Sequence, residues 1–277
     1  MVRIPLSSLG GNCLNVDKIG AGPEVMLIHG FTGSSKTWDR LIWSLSDRYS
    51  LTTIDLLGHG LSDAPSDSKY YHMDKTVDAL EEVLAHFDTS DVTWLGYSLG
   101  ARIALSAAVS LPSLTAGLIL ESGSPGLQTQ NERLARKAQD EALADWIEKV
   151  GIEDFVDYWQ AIPLWKSQEA LSNDFRQELR SQRLKNSEVG LANSLRGLGT
   201  GAQPHLHHRL GEIMIPTLLI VGEYDSKYVE IGHEMMRNVA NGSIRIEAGA
   251  GHAVHLERPG NFQVAIADFL GGIIQIS

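Results

Sequence analysis

The chain has 277 residues, 23 basic and 34 acidic side chains (formal charge −11), 43% hydrophobic and 21% charged residues. Those proportions belong to a folded globule and exclude disordered or low-complexity chains. The acid excess also disfavours nucleic acid, whose phosphates need basic stripes. A single cysteine, Cys13, cannot close an internal disulfide, and without a C-x-x-C pair or His/Cys cluster no structural zinc site is expected. A reducing, cytoplasmic compartment is therefore expected. No run of about 18 apolar residues occurs, so no membrane span is expected, and the first residues lack the apolar stretch of a signal peptide.

Along the chain, short aliphatic runs alternate with longer amphipathic segments. Val25–Ile28 and Leu51–Ile54 read as buried parallel strands. Tyr71–His86 places Met73, Val77, Leu80, Val83, Leu84 and Phe87 at helical three-and-four spacing. The strand Val92–Leu95, the small-residue helix Ala101–Val109 and the strand Gly117–Leu120 follow. The rhythm then breaks into helices alone: Asn131–Val150, Ile152–Gln160, Ser167–Lys185 and Glu188–Leu195, framed by Gly- and Pro-rich turns. The strands Thr217–Val221 and Ser243–Glu247 and the helix Phe262–Leu270 close the chain. The expected fold is α/β, a mostly parallel doubly wound sheet built from residues 1–122 and 209–277, with an α-helical cap at 123–208 inserted between two strands. The cap holds 10 basic and 12 acidic side chains, so most of the acidity lies in the sheet portion.

Gly96-Tyr-Ser98-Leu-Gly100 follows the strand Val92–Leu95 and opens the small-residue helix. In so tight a strand-to-helix turn the glycines prevent clashes and leave Ser98 exposed, the geometry of a nucleophile elbow. The pattern alone is weak, and the strand before it and helix after it supply its weight. A serine hydroxyl needs a partner that takes its proton, and His252, on a loop after the last strand, fits that place. His255 is the nearest rival. His29 and His59 are expected to fix loops, and His205, His207 and His208 to be solvated. The acid that orients the imidazole is expected to be Asp225, just past the strand Thr217–Val221, giving the order Ser, Asp, His. Its rivals are Glu121 and Asp55, the second more plausibly a turn former; Glu223 is expected to anchor a loop. Backbone N–H groups of Leu99, after the serine, and Phe31, in His29-Gly-Phe-Thr-Gly33, are expected to form an oxyanion hole.

With these residues assembled, the chain resembles the α/β-hydrolase superfamily over essentially its whole length, with His-Gly-Phe, Asp-x-x-Gly-His-Gly-x-Ser, Gly-x-Ser-x-Gly and Gly-His in order. A narrower resemblance rests on Gly96–Arg102, Leu120–Gln128, Arg133 with Arg136, Tyr158-Trp159, Arg180–Arg183, Gly190–Leu195 and Gly222–Lys227. These segments resemble the menaquinone-pathway lyase family of 2-succinyl-6-hydroxy-2,4-cyclohexadiene-1-carboxylate synthases. Ala101 stands where that family often has glycine. The resemblance implies elimination of pyruvate from a cyclohexene tricarboxylate, a polyanionic small molecule, with no metal or organic cofactor. It also implies substrate contacts from Tyr97, Arg136, Trp159 and Arg183.

Arg102 stands out on physical grounds as well, one turn beyond Ser98 on the same helix face, where a buried guanidinium requires an anion. Its alternative partner is Glu121. For Arg136 the alternative is an ion pair with Glu132, for Arg183 one with Glu178 or plain solvation, and for Trp159 a place in the cap core. The expected chemistry is proton abstraction by Ser98, made basic by His252 and Asp225. The competing enzyme reading is a carboxylesterase or carbon–carbon bond hydrolase with Ser98 as covalent nucleophile. A non-catalytic receptor on the same scaffold is disfavoured by the intact Ser98, Asp225 and His252.

Overall fold

The structure, a computed structural model, describes residues 1–274. One sheet contains β1 (Val2–Pro5), β2 (Cys13–Ile19), β3 (Glu24–Ile28), β4 (Ser50–Asp55), β5 (Val92–Tyr97), β6 (Thr115–Glu121), β7 (Thr217–Gly222) and β8 (Gly242–Glu247). Their spatial order is β1-β2-β4-β3-β5-β6-β7-β8. From β4 to β8 all pairings are parallel, whereas β2 pairs antiparallel with both β1 and β4. The chain leaves β3 toward one edge to make β4 and returns to its other side to make β5. A crevice therefore opens at the carboxyl ends of β3 and β5, where such sheets place their ligands.

Helices α1 (Asp39–Leu45), α2 (Met73–His86), α3 (Leu99–Ser110), α8 (Ser226–Met236), α9 (Val254–Glu257) and α10 (Pro259–Ile274) accompany the strands. Side chains alternate across the central strands: Met26, Ile28 and Trp94 enter one core with α2 and α3. Leu27, Leu95 and Ile119 enter the opposite core with Trp38 and Phe262. The aliphatic runs are long because both faces of these strands are covered. The first two strands show no such run for the converse reason: Asn15, Asp17 and Lys18 interrupt β2, which sits near the sheet's antiparallel edge.

Between β6 and β7 lie α4 (Gln130–Val150), α5 (Ile152–Ala161), α6 (Asn173–Arg183) and α7 (Glu188–Leu198). A small core of Ala144, Ile147, Phe155, Val156, Leu191 and Leu195 joins α4, α5 and α7. Thr129 and Glu132 cap α4 reciprocally, the threonine hydroxyl accepting from Glu132 N and the carboxylate from Thr129 N. The single helix expected over Ser167–Lys185 is two pieces, a 3₁₀ segment at Pro163–Ala170 and then α6. Ser172 makes the break, its hydroxyl accepting from Phe175 N at 3.3 Å as a fresh N-cap.

Candidate active site

Ser98 links β5 to α3 with φ 53° and ψ −106°, a conformation glycine adopts more readily than serine. It is held there by Ser98 N, which donates to Glu121 O (2.8 Å), and by Arg102 N, which donates back to Ser98 O (3.1 Å). The flanking glycines are steric necessities. A Cβ on Gly96 would overlap the Gly100 carbonyl, and one on Gly100 would overlap the carbonyl of Ile28.

Ser98 Oγ lies 3.0 Å from Nε2 of His252, whose Nδ1 lies 2.5 Å from Asp225 Oδ2. With Nδ1–H donating to the carboxylate, Nε2 is left as the acceptor for the serine hydroxyl. Each member stands at the carboxyl end of a strand: Ser98 after β5, Asp225 after β7, His252 after β8. Ser122 Oγ donates to the His252 carbonyl at 2.9 Å and fixes the histidine loop. Tyr228, Tyr97 and Trp165 enclose the imidazole at ring separations of 4.7, 5.7 and 5.7 Å. The N–H groups of Phe31, in the loop after β3, and of Leu99, the first residue of α3, find no acceptor among the described residues.

The other titratable groups have tasks of their own. Asp55 accepts from Ser35 N, Leu61 N and Asn15 Nδ2, folding the turn after β4, and Leu56 N donates to His29 Nε2. Burial lowers the His29 imidazole below its usual range and takes His59 down to about 3. Glu121 is engaged by His255, and Glu223 accepts from Gly249 N.

Arg102 is buried, and its Nη1 donates to the carbonyl of Leu198 (2.7 Å) and to Gln203 Oε1 (3.0 Å). Glu121 is thus not its partner. Both acceptors are neutral, and burial pulls the guanidinium down to about 10, which leaves it charged at neutral pH. Arg136 pairs with Asp140 at 2.8 Å, while Glu132 serves the helix cap instead. Arg183 forms no ion pair with Glu178; it lies over the Trp165 ring at 5.7 Å, and burial lowers its pKa against the favourable field of Tyr97. Trp159 lies edge-on to Phe31 and Trp165 and tilted to Phe155, its indole N–H buried and without a hydrogen-bond partner among the described residues.

The alpha/beta hydrolase fold family model matches residues 23–259. A 2-succinyl-6-hydroxy-2,4-cyclohexadiene-1-carboxylate synthase of Escherichia coli K12 is 31% identical over 252 residues, 90% of this chain and 94% of the relative. A Bacillus subtilis protein that provisionally carries the same name is 44% identical over 253 residues, 91% of this chain and 92% of its own. The chain is an α/β hydrolase of this synthase family. The solved structure of MenH from S. aureus superposes with a TM-score of 0.89 at 34% identity, covering 94% of this chain and 98% of the other. An esterase from Thermogutta terrifontis shares the fold at TM-score 0.86 and 24% identity.

In this α/β hydrolase three neighbours of the site lie outside the sequence motifs. Tyr228 is three residues past Asp225 on α8, and that helical spacing is the signal that marks it. Trp165 and Gln203 come from segments without helical or strand periodicity, and only tertiary packing brings them to His252 and Arg102.

Proposed function

We propose that this chain is a carbon–oxygen lyase that eliminates pyruvate from 2-succinyl-5-enolpyruvyl-6-hydroxy-3-cyclohexene-1-carboxylate. The product is 2-succinyl-6-hydroxy-2,4-cyclohexadiene-1-carboxylate, an intermediate of menaquinone biosynthesis. The observation that carries the proposal is Arg102, a buried cation one turn from Ser98 whose hydrogen-bond acceptors among the described residues are neutral oxygens. An ester-cleaving pocket has no need of it; a substrate bearing carboxylates does.

His252, oriented by Asp225, draws the proton from Ser98 Oγ as Oγ takes a proton from the substrate ring. The C–H electron pair enters the ring's conjugated system, and the C–O bond to the enolpyruvyl group breaks with its pair on the leaving oxygen. Reprotonation at carbon turns the departing enolate into pyruvate and returns the relay to its starting state. No acyl-enzyme forms. Phe31 and Leu99 N–H groups hold the shifting negative charge, and Arg102, Arg136 and Arg183 hold carboxylates, with Tyr97 and Trp159 against the ring. Helices α4–α7 act as a cap over this site, and the polyanionic substrate is met in the cytoplasm.

The test is to supply the cyclohexene substrate and follow pyruvate release. Ser98→Ala is expected to abolish it while leaving the circular dichroism spectrum unchanged, and a fully active variant would remove Ser98 from the mechanism. The relay geometry also suits a hydrolase with Ser98 as covalent nucleophile. A burst of alcohol from an activated aryl ester, with no pyruvate from the cyclohexene, would select that second reading.

A further inference from the structure

Glu121 and His255, the acid and histidine left over once the relay is assembled, hold each other. The Glu121 side chain is fully buried, and its carboxylate accepts from His255 N (2.9 Å) and His255 Nδ1 (2.8 Å). An ion-pairing group of this kind is retained in a core only where its donors are in place. The same residue's carbonyl accepts from Ser98 N (2.8 Å), and its neighbour Ser122 donates to the His252 carbonyl (2.9 Å). The His255 ring lies edge-on to Tyr97 at 4.6 Å and beside Trp38 at 5.5 Å. Tyr97 precedes Ser98, and His255 follows His252 by three residues at the start of α9.

We propose that Glu121 and His255 form a positioning pair that sets the distance between Ser98 and His252. The end of β6 grips the elbow through one backbone bond and the histidine loop through three, so the two reacting side chains share one rigid reference. Neither Glu121 nor His255 bonds to Ser98 Oγ or to the His252 ring. Their action is therefore on geometry, and a displacement of about 1 Å in such a relay costs about 100-fold in rate. This rests on the proposed role of Ser98 and His252, so the experiment reads their reactivity by two routes.

The first route is steady-state pyruvate release. The second is sulfonylation of Ser98 by phenylmethylsulfonyl fluoride, in which the O–S bond forms, the S–F bond breaks, fluoride leaves and His252 takes the serine proton. His255→Phe keeps a ring against Tyr97 but removes the Nδ1 donor; it is expected to lower kcat and the sulfonylation rate each by about 30-fold, with KM within about 2-fold of the parent. His255→Asn restores a donor where Nδ1 stood and is expected to recover both rates to within about 5-fold of the parent. Unchanged rates in His255→Phe, a change confined to KM, or an equal loss in His255→Asn would each overturn the proposal. If His255→Phe does not give folded protein by thermal melt, the near-isosteric Glu121→Gln replaces it. That variant is expected to slow both rates about 10-fold, and parental rates would again overturn the proposal. Sulfonylation without any pyruvate from the parent chain would defeat the lyase assignment and leave the positioning test readable.

Discussion

Ser98 and Arg102 occupy positions that an ordinary helix start would not tolerate. One has a positive φ at a residue with a Cβ, the other a charge on a helix otherwise buried and uncharged from Leu99 to Val109. Backbone strain and a desolvated cation each lower stability, and both are retained beside the same crevice. If the guanidinium meets a substrate carboxylate, Arg102→Met is expected to lower kcat/KM for pyruvate release by about 100-fold. Steady-state kinetics would decide it, and a variant within a few-fold of the parent would detach Arg102 from the substrate. Ser98, Asp225 and His252 were legible because the elbow is a local motif and the partners follow in chain order at strand ends. The partners of Arg102 were not. Leu198 and Gln203 lie about a hundred residues away, and nothing in their neighbourhood marks them as acceptors.

The helices between β6 and β7 meet the sheet portion through backbone as well as side chains. Gly58, in the turn after β4, and Gly190, in the first turn of α7, approach so closely that a Cβ on either would overlap the other's backbone. Gly190→Ala is expected to lower unfolding stability by about 1–3 kcal/mol, read as a lower urea midpoint; an unchanged midpoint would mean that α7 shifts freely. At this scale periodicity found most helices and the central strands, because an amphipathic helix or a doubly covered strand writes its burial into the sequence. It failed where burial is partial, as in β2, or where a hydroxyl interrupts the helix, as at Ser172.

Taken as a whole, the molecule carries a built-in acid sensitivity. His29 and His59, with rings 5.1 Å apart, are buried where the charged form is disfavoured. Because His59 is held at about 3 against an ordinary value of 6.5, the unfolded chain takes up its proton first as pH falls. Its contribution to stability is complete above about pH 6.5 and is lost on the way down to about pH 3, at about 1.4 kcal/mol per unit. His29 acts in the same direction. Urea midpoints measured at steps between about pH 7.5 and 5 should therefore fall with acidity once below about 6.5; a flat series would show that these imidazoles are not held neutral.

Asn186, between α6 and α7, spans the two parts of the chain. Its Nδ2 donates to the carbonyl of Thr32 (2.9 Å), and its Oδ1 accepts from Gly60 N (3.0 Å). Thr32 adjoins Phe31, the residue proposed to offer its N–H to the substrate. Moving these helices off the sheet portion would break both bonds, one to each of the two loops. Under the proposed mechanism, the seating of these helices and the position of the Phe31 loop are coupled through one side chain, Asn186.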